Sequence, residues 1–271
     1  MRKLLALIGF IIVCNLHALE STDMTVVLDA NEAPPFFSAS MPHDGMVGEI
    51  IYEISKASNI KTIINYKPLS RMIEDDSNND LGNPAFFINN QDFNSIIPII
   101  VYHMSFYYYS NDKNKKHIKI ESLHDLKGSK IGVLKGSLIN LLFFKNQGIV
   151  FVTSYSQESL FKKLRLKRVD YVIEVEFVGE FIINKLFPSQ KDNFKSIKIQ
   201  SNHNPIAIML AEDEKDVDII TKKYREGLEK IIENGTYQRV INKYFPEQEI
   251  TSDWLKNLNK FKELYNFGEE L

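Results

Sequence analysis

The sequence has one cysteine, Cys14, and one tryptophan among its 271 residues, and that cysteine falls inside the first eighteen. With no second thiol there is no disulfide framework and no cysteine zinc site. Charge of one sign is scarce as well: the formal net charge of −2 supplies no field that would draw the whole molecule to nucleic acid or anionic lipid. Long apolar runs are also lacking. The longest clear one, residues 4–13, falls short of the roughly 20 residues that a helix needs to span a bilayer. Phosphate-cradling glycine loops, zinc-ligand spacings, nucleophile elbows and basic-aromatic stripes do not occur, so nucleotide, metal and nucleic-acid readings find no support. No catalytic residue, metal or cofactor is assigned.

The short apolar run follows Arg2 and Lys3 and precedes the small residue Ala18, which is the pattern of a secretory signal peptide. Cleavage after Ala18 is expected, which would leave a thiol-free periplasmic protein. Cys14 follows Val13 with no glycine or alanine beside it, which argues against a lipid anchor.

From Thr25 onward, short apolar runs alternate with amphipathic stretches, as in a mixed sheet flanked by helices. Strands are expected at residues 25–28, 61–66, 85–88, 103–110, 130–134, 149–152, 171–175, 197–200 and 206–210. Helices are expected at 46–59, after Pro68, at 137–145, 157–166, 178–186, 216–234 and 237–244, with a short helical turn at 122–126. Residues 29–42 read as a proline-rich loop and 74–83 as an exposed polar turn. The polar stretch 111–116 reads as a crossing into a second unit, and the switch from polar 201–205 to apolar 206–210 as the return. Trp254, Leu255, Leu258, Phe261 and Leu264 recur at helical spacing in a tail expected to pack on the first unit, although a partner-binding helix remains open.

Three motifs in order resemble the family 3 periplasmic solute-binding proteins, the polar amino-acid type of ABC importers. They are Ala33-Pro34-Pro35-Phe36 with Gly45-Met46-Val47-Gly48; Ser122-Leu123-His124-Asp125-Leu126-Lys127-Gly128 with Ile131-Gly132-Val133 and Lys135-Gly136-Ser137; and Asn234-Gly235-Thr236-Tyr237 with Lys243-Tyr244-Phe245. The resemblance implies an α/β chain with the two-lobed type II fold, each lobe a mixed sheet flanked by helices and joined by a two-strand hinge. It implies lobe 1 at 24–110 and 206–250, lobe 2 at 111–205, and a helical tail at 251–271. Ligand sites of open α/β sheets lie beyond the carboxyl ends of strands, so the loops after Leu28, Leu134 and Val175 are expected to face the cleft.

Lys135, Gly136 and Ser137 follow a strand and open a helix, where free amides favour an anion; an ordinary N-cap by Ser137 is the plainer reading. Phe36 and Phe37 can stack on a ligand or pack in the core. Arg71 resembles an arginine that relatives carry at the start of the second helix, able to grip a carboxylate in bidentate fashion, or it is a surface residue. Asp29 and Glu32 are further acceptors or caps. The family's arginine after the third strand is missing, because Ile88-Asn89-Asn90-Gln91-Asp92 stands there. Its ammonium-binding aspartate is replaced by Val175, flanked by Glu174 and Glu176, either of which can take over.

The function expected from these residues is non-enzymatic: a monomer that closes on a small polar ligand, an amino acid or related compound, and presents it to the membrane permease of an ABC importer. A sensor passing its closed shape to a membrane receptor is the alternative. A dehydratase-like enzyme on the same fold would need a cleft acid such as Glu174 or Glu176 with a partner that the sequence does not supply.

Overall fold

The computed structural model describes residues 24–75, 78–87, 93–111, 120–136, 148–244 and 250–264. The signal peptide, the helix expected at 137–145 with Ser137, and the segment 88–92 lie outside the described residues, as do Phe245 and most of the expected crossing at 111–116.

Eight strands form one mixed sheet: β1 (Thr25–Ala30), β2 (Lys61–Tyr66), β3 (Asp80–Gly82), β4 (Phe93–Tyr109), β5 (Lys130–Leu134), β6 (Val150–Ser154), β7 (Tyr171–Val175) and β8 (Phe194–Ala211). Their order is β2-β1-β3-β8-β4-β7-β5-β6. Pairing is parallel at both ends, where β1 joins β2 and β3 and where β5 joins β6 and β7, and antiparallel wherever β4 or β8 takes part.

The two long strands carry the sheet from one half to the other. Residues 93–103 of β4 pair with 203–211 of β8, which is held on its other side by β3; beyond Met104, β4 pairs with β7 as well as with 194–198. The ladder breaks step between these parts, since His103 faces His203 but Ser105 faces Lys198, leaving Met104 alone against residues 199–202. A bulge of this kind bends a strand without ending it. Pro98, which lacks an amide hydrogen, stands at another register shift on β4. The polar stretch 201–205, expected at the return crossing between units, lies inside β8, with residues 203–205 paired to β4 and 201–202 within the register break.

Two expectations fail nearby. Residues 80–82 form β3, wholly buried between β1 and β8, rather than an exposed turn. A three-residue strand bonded on both sides needs no apolar alternation to be stable, so it leaves no periodic trace. The strand expected at 85–88 is instead a helical turn, Pro84–Phe86, opened by the Asn83 side chain, which accepts from the Ala85 amide.

The helices are α1 (Gly45–Ser58), α2 (Leu69–Glu74), α3 (Gln157–Arg165), α4 (Glu176–Leu186), α5 (Val217–Glu233), α6 (Thr236–Tyr244) and α7 (Ile250–Leu264). Met46, Val47, Ile50, Ile51 and Ile54 bury one face of α1, and its first amides donate to the carbonyls of Pro35 and Phe36 (2.9 and 2.7 Å). Gly45 is required there: at φ +87° a side chain is strained, and its Cβ would lie 2.7 Å from the Pro35 carbonyl oxygen. Helix α5 packs on α1 through Ile220, Tyr224, Leu228 and Ile231. The Glu49 carboxylate on α1 accepts from Lys243 (2.6 Å) and Tyr244 (3.0 Å), tying α6 to it. Helix α7 lies against β4, with Leu258 fully buried. One apolar cluster runs without a gap from Leu28 and Ile50 through Phe36, Tyr102 and Phe177 to Phe161.

Candidate functional site

A cavity of about 350 Å³ lies beyond the carboxyl ends of four strands. Asn31 and Glu32 follow β1, Tyr66 and Lys67 close β2, Leu134 and Lys135 close β5, and Tyr155, Ser156 and Gln157 join β6 to α3. The start of α2, with Leu69 and Ser70, completes the wall. Residues from both ends of the sheet therefore meet around one space, where side chains leave strand ends and backbone amides open helices.

Three contacts between the two halves stand out. The Gln157 side-chain amide donates to the Glu32 carbonyl (3.3 Å). The Gly136 backbone abuts α2, since a Cβ there would lie 3.2 Å from the Ser70 amide nitrogen, and its φ of +92° suits glycine alone. The Phe36 ring packs between Tyr102 (centroids 6.3 Å apart) and Phe177 (6.1 Å, edge-on).

Of the residues singled out in the sequence, Glu32 and Lys135 line the cavity, and Gly136 borders it. The Glu32 carboxylate accepts from the Ala39 amide (3.0 Å). Lys135 donates to the Tyr155 hydroxyl (2.7 Å) and lies over its ring, and that bond holds the ammonium above its ordinary range. Asp29 does not line the cavity. Its buried carboxylate accepts from Asn65 (2.7 Å) and pairs with Lys67 (2.5 Å), which does line it and also reaches Asp75 at 3.3 Å. The bond to Asp29 is the main reason that the Lys67 ammonium titrates above its ordinary value.

Phe36 and Phe37 are core residues, 1% and 4% exposed. Arg71 is exposed on α2, one position beyond the cavity-lining Ser70. Glu174 and Glu176, which flank Val175 in sequence, do not share a strand, because β7 ends at Val175 and Glu176 is the first residue of α4. Glu176 faces Lys198 at 3.7 Å and offers its carbonyl to the Tyr107 hydroxyl. Glu174 stays in the strand, opposite Ser105, with Oε1 accepting from the Val175 amide (2.8 Å). Burial pushes its carboxyl up to about 7.

Sequence reasoning missed Lys67, Tyr66, Tyr155 and Gln157. A signal was present for the last two, since Ser156 caps α3 by accepting from the Ser159 amide, just after a strand. It also missed a polar group beside the sheet crossing, where Asn83 donates to the Tyr102 hydroxyl (2.9 Å) and lies 3.5 Å from Asn204. Among the described residues, no group of three or more His, Cys, Asp or Glu side chains could hold a metal ion.

No protein-family model matches the sequence, and no curated protein does. Solved structures do match. A histidine kinase sensor domain with similarity to periplasmic binding proteins aligns with 82% of this chain and 95% of its own at a TM-score of 0.65 and 14% identity. The GluR0 ligand-binding core from Nostoc punctiforme, in complex with (L)-glutamate, aligns with 81% of this chain and 99% of its own (TM-score 0.63, 20% identity). The fold is that of the two-lobed periplasmic binding proteins. An ancestral arginine-binding protein bound to arginine agrees, with 82% and 98% of the two chains aligned, a TM-score of 0.64 and 21% identity. At these identities the likeness bears on the two-lobed architecture alone. In this chain the sheets of the two lobes join through β4 and β8 into one ladder. Among the described residues no helix is long and apolar enough to cross a membrane.

Proposed function

We propose that this chain is an exported, non-enzymatic binding protein whose two lobes close on a small polar solute, an amino acid or related compound, in the cavity beyond β1, β2, β5 and β6. The observation that carries the reading is that cavity, walled from both ends of the sheet, with just two neighbouring strands joining the halves. Lobe 1 would comprise residues 24–103 and 204–264 and lobe 2 residues 105–198, so that closure bends β4 and β8 at the register jump. Lys67 and Lys135 would meet an anionic group of the solute, aided by the backbone of Gly136 and by Ser137, while Glu32, Tyr155 and Gln157 would take its polar remainder. Arg71 could swing to the rim. Delivery to an ABC importer's permease is the principal role proposed, with the signal peptide placing the protein in the periplasm.

The kinship in fold with a kinase sensor domain favours a second reading, in which the closed shape is read by a membrane receptor. One screen tests the binding claim. The mature protein, refolded and dialysed to remove carried-over solute, is melted against amino acids, polyamines, organic acids and small peptides. A stabiliser whose effect grows with concentration, and falls at least tenfold in affinity in Lys67→Met and Gln157→Ala, is expected. A panel with no stabiliser, or one whose effect ignores both variants, would remove this cavity from consideration.

A further inference from the structure

One buried acid beside the crossing of the sheet is not a cavity residue. Glu174 is 7% exposed and stands opposite Ser105, the first β4 residue beyond the register jump. The Phe36 ring from lobe 1 reaches over to Tyr102 and Phe177, three residues to either side of that Ser105 and Glu174 pair. The Ser105 hydroxyl is fully buried and has no hydrogen-bond partner, so it does nothing to solvate a charge beside it. We infer that closure of the two lobes is proton-linked through Glu174, whose carboxyl enters the shut interface neutral and takes up water and charge when the lobes part.

The surroundings argue for this. On β4 the carboxyl is neighboured by the hydroxyls of Tyr102 and Tyr107, with His103 two residues before Ser105. On α4 the first charged residues are Glu176 and Glu180, acids that offer Glu174 no counter-charge. Lys198, opposite Ser105 on β8, is the nearby cation, and it is turned to Glu176 at 3.7 Å. Lobe 1 contributes an aromatic ring rather than a charge. An anion here would thus be desolvated and without a counter-charge, held only by the Val175 amide, which is unfavourable unless a proton is bound. Burial holds the group near pH 7, whereas an opened, wetted carboxyl returns toward its ordinary value. Because the closed form binds the proton more tightly, acidification favours closure, and one linked proton changes the ratio of closed to open by at most about tenfold per pH unit. The inference rests on the two-lobed closing reading and adds to it a means of setting the open population.

The test is small-angle X-ray scattering of the mature, solute-free chain across neutral pH, for the wild type and Glu174→Gln. The wild type is expected to contract on acidification with a midpoint near 7, and the variant to stay compact throughout. A wild-type radius indifferent to pH, or a variant that follows the wild type, would overturn the proton link. Should the variant fail to fold, carboxyl carbon NMR of glutamate-labelled wild type decides: a glutamate titrating near pH 7 in step with the contraction supports the link, and all glutamates titrating in the ordinary range refutes it. An equimolar amino-acid mixture at fixed pH separates the two ideas. Contraction with the mixture but not with acid leaves the clamp standing and ends the proton link, whereas contraction with neither ends both.

Discussion

Gly179 on α4 leaves its helix face bare where the Tyr107 ring of β4 stands: a Cβ at that position would lie 2.3 Å from Tyr107 Cζ and 2.6 Å from its hydroxyl oxygen. The close approach lets the hydroxyl reach the Glu176 carbonyl in the first turn of α4. The ring is fixed on its other side by Phe161, edge-on at 5.2 Å. Gly179→Ala is therefore expected to cost about 1–3 kcal/mol, as overpacking in a rigid core does. Pairing it with Tyr107→Leu should recover part of that loss, because the obstructing ring is gone. Urea unfolding of the two single variants and the double variant measures the coupling, and additive losses would show that the ring and the methyl group do not compete.

Asp80 carries the second prediction. It is 1% exposed, and neither carboxyl oxygen has a hydrogen-bond partner. Burial, then the neighbouring Asp29, push its pKa up to about 8 against the opposing pull of Lys67, and Asp75 adds to the rise. The folded state thus holds a proton that the unfolded chain has lost between the ordinary carboxylate range and pH 8. Stability should fall as pH rises through that window and level off above it. Asp80→Asn should flatten that part of the profile and leave the protein about 1–3 kcal/mol more stable than wild type above pH 8. Equal slopes for both proteins would mean that the charge is compensated in solution.

The Glu49 carboxylate behaves in the opposite sense. Burial alone would raise its pKa, but hydrogen bonds from Lys243 and Tyr244 outweigh burial and hold it below its ordinary value. This contribution to stability is present above the ordinary carboxylate range and disappears as pH falls through the lowered value. Lys243→Met should cost about 1–2 kcal/mol at neutral pH, a modest figure because the lysine is half exposed, and almost nothing in strong acid. Thermal melts at neutral and acid pH would reveal the difference, and a loss that persists in acid would point to packing instead.

Leu258 joins the tail helix to the core. It is fully buried and belongs to the same cluster as Ile97 and Leu228. Leu258→Ala is expected to cost about 2–4 kcal/mol. Calorimetry decides between this and a tail that docks on a partner, which would leave the melting temperature of the isolated chain unchanged.

Much of this fold was legible because amphipathic period and burial coincide. Ile50, Ile51 and Ile54 on α1 and Ile220, Tyr224 and Leu228 on α5 are spaced at helical period and are buried as that spacing requires. The strands Lys130–Leu134 and Tyr171–Val175 were legible for another reason, as short apolar runs whose successive residues are buried on both faces. What stayed hidden was whatever long-range backbone pairing stabilises regardless of side chain: β3 with its buried Asp80, and the polar middle of β8. The cavity was half legible. Strand-to-helix junctions pointed to Glu32, Lys135 and Gly136. No local pattern could announce that Lys67 is positioned by Asp29, 38 residues away in sequence but beside it in space. Phe36 stayed undecided for a related reason, since a proline-rich loop leaves ligand stacking and core packing both open until the rings of Tyr102 and Phe177 are seen to enclose it.

The register break in the β4 and β8 ladder between His103 and Ser105, where Met104 faces residues 199–202, also limits what a protein touching both halves could sense. Among the described residues the chain passes between the two halves of the sheet only there, on adjacent strands roughly 4.8 Å apart. Splaying or twisting such a pair would tear its hydrogen bonds, while flexing across both strands leaves them intact. The relative placement of the halves therefore reduces to one angle, and any membrane protein that touches both of them reads that angle and nothing else.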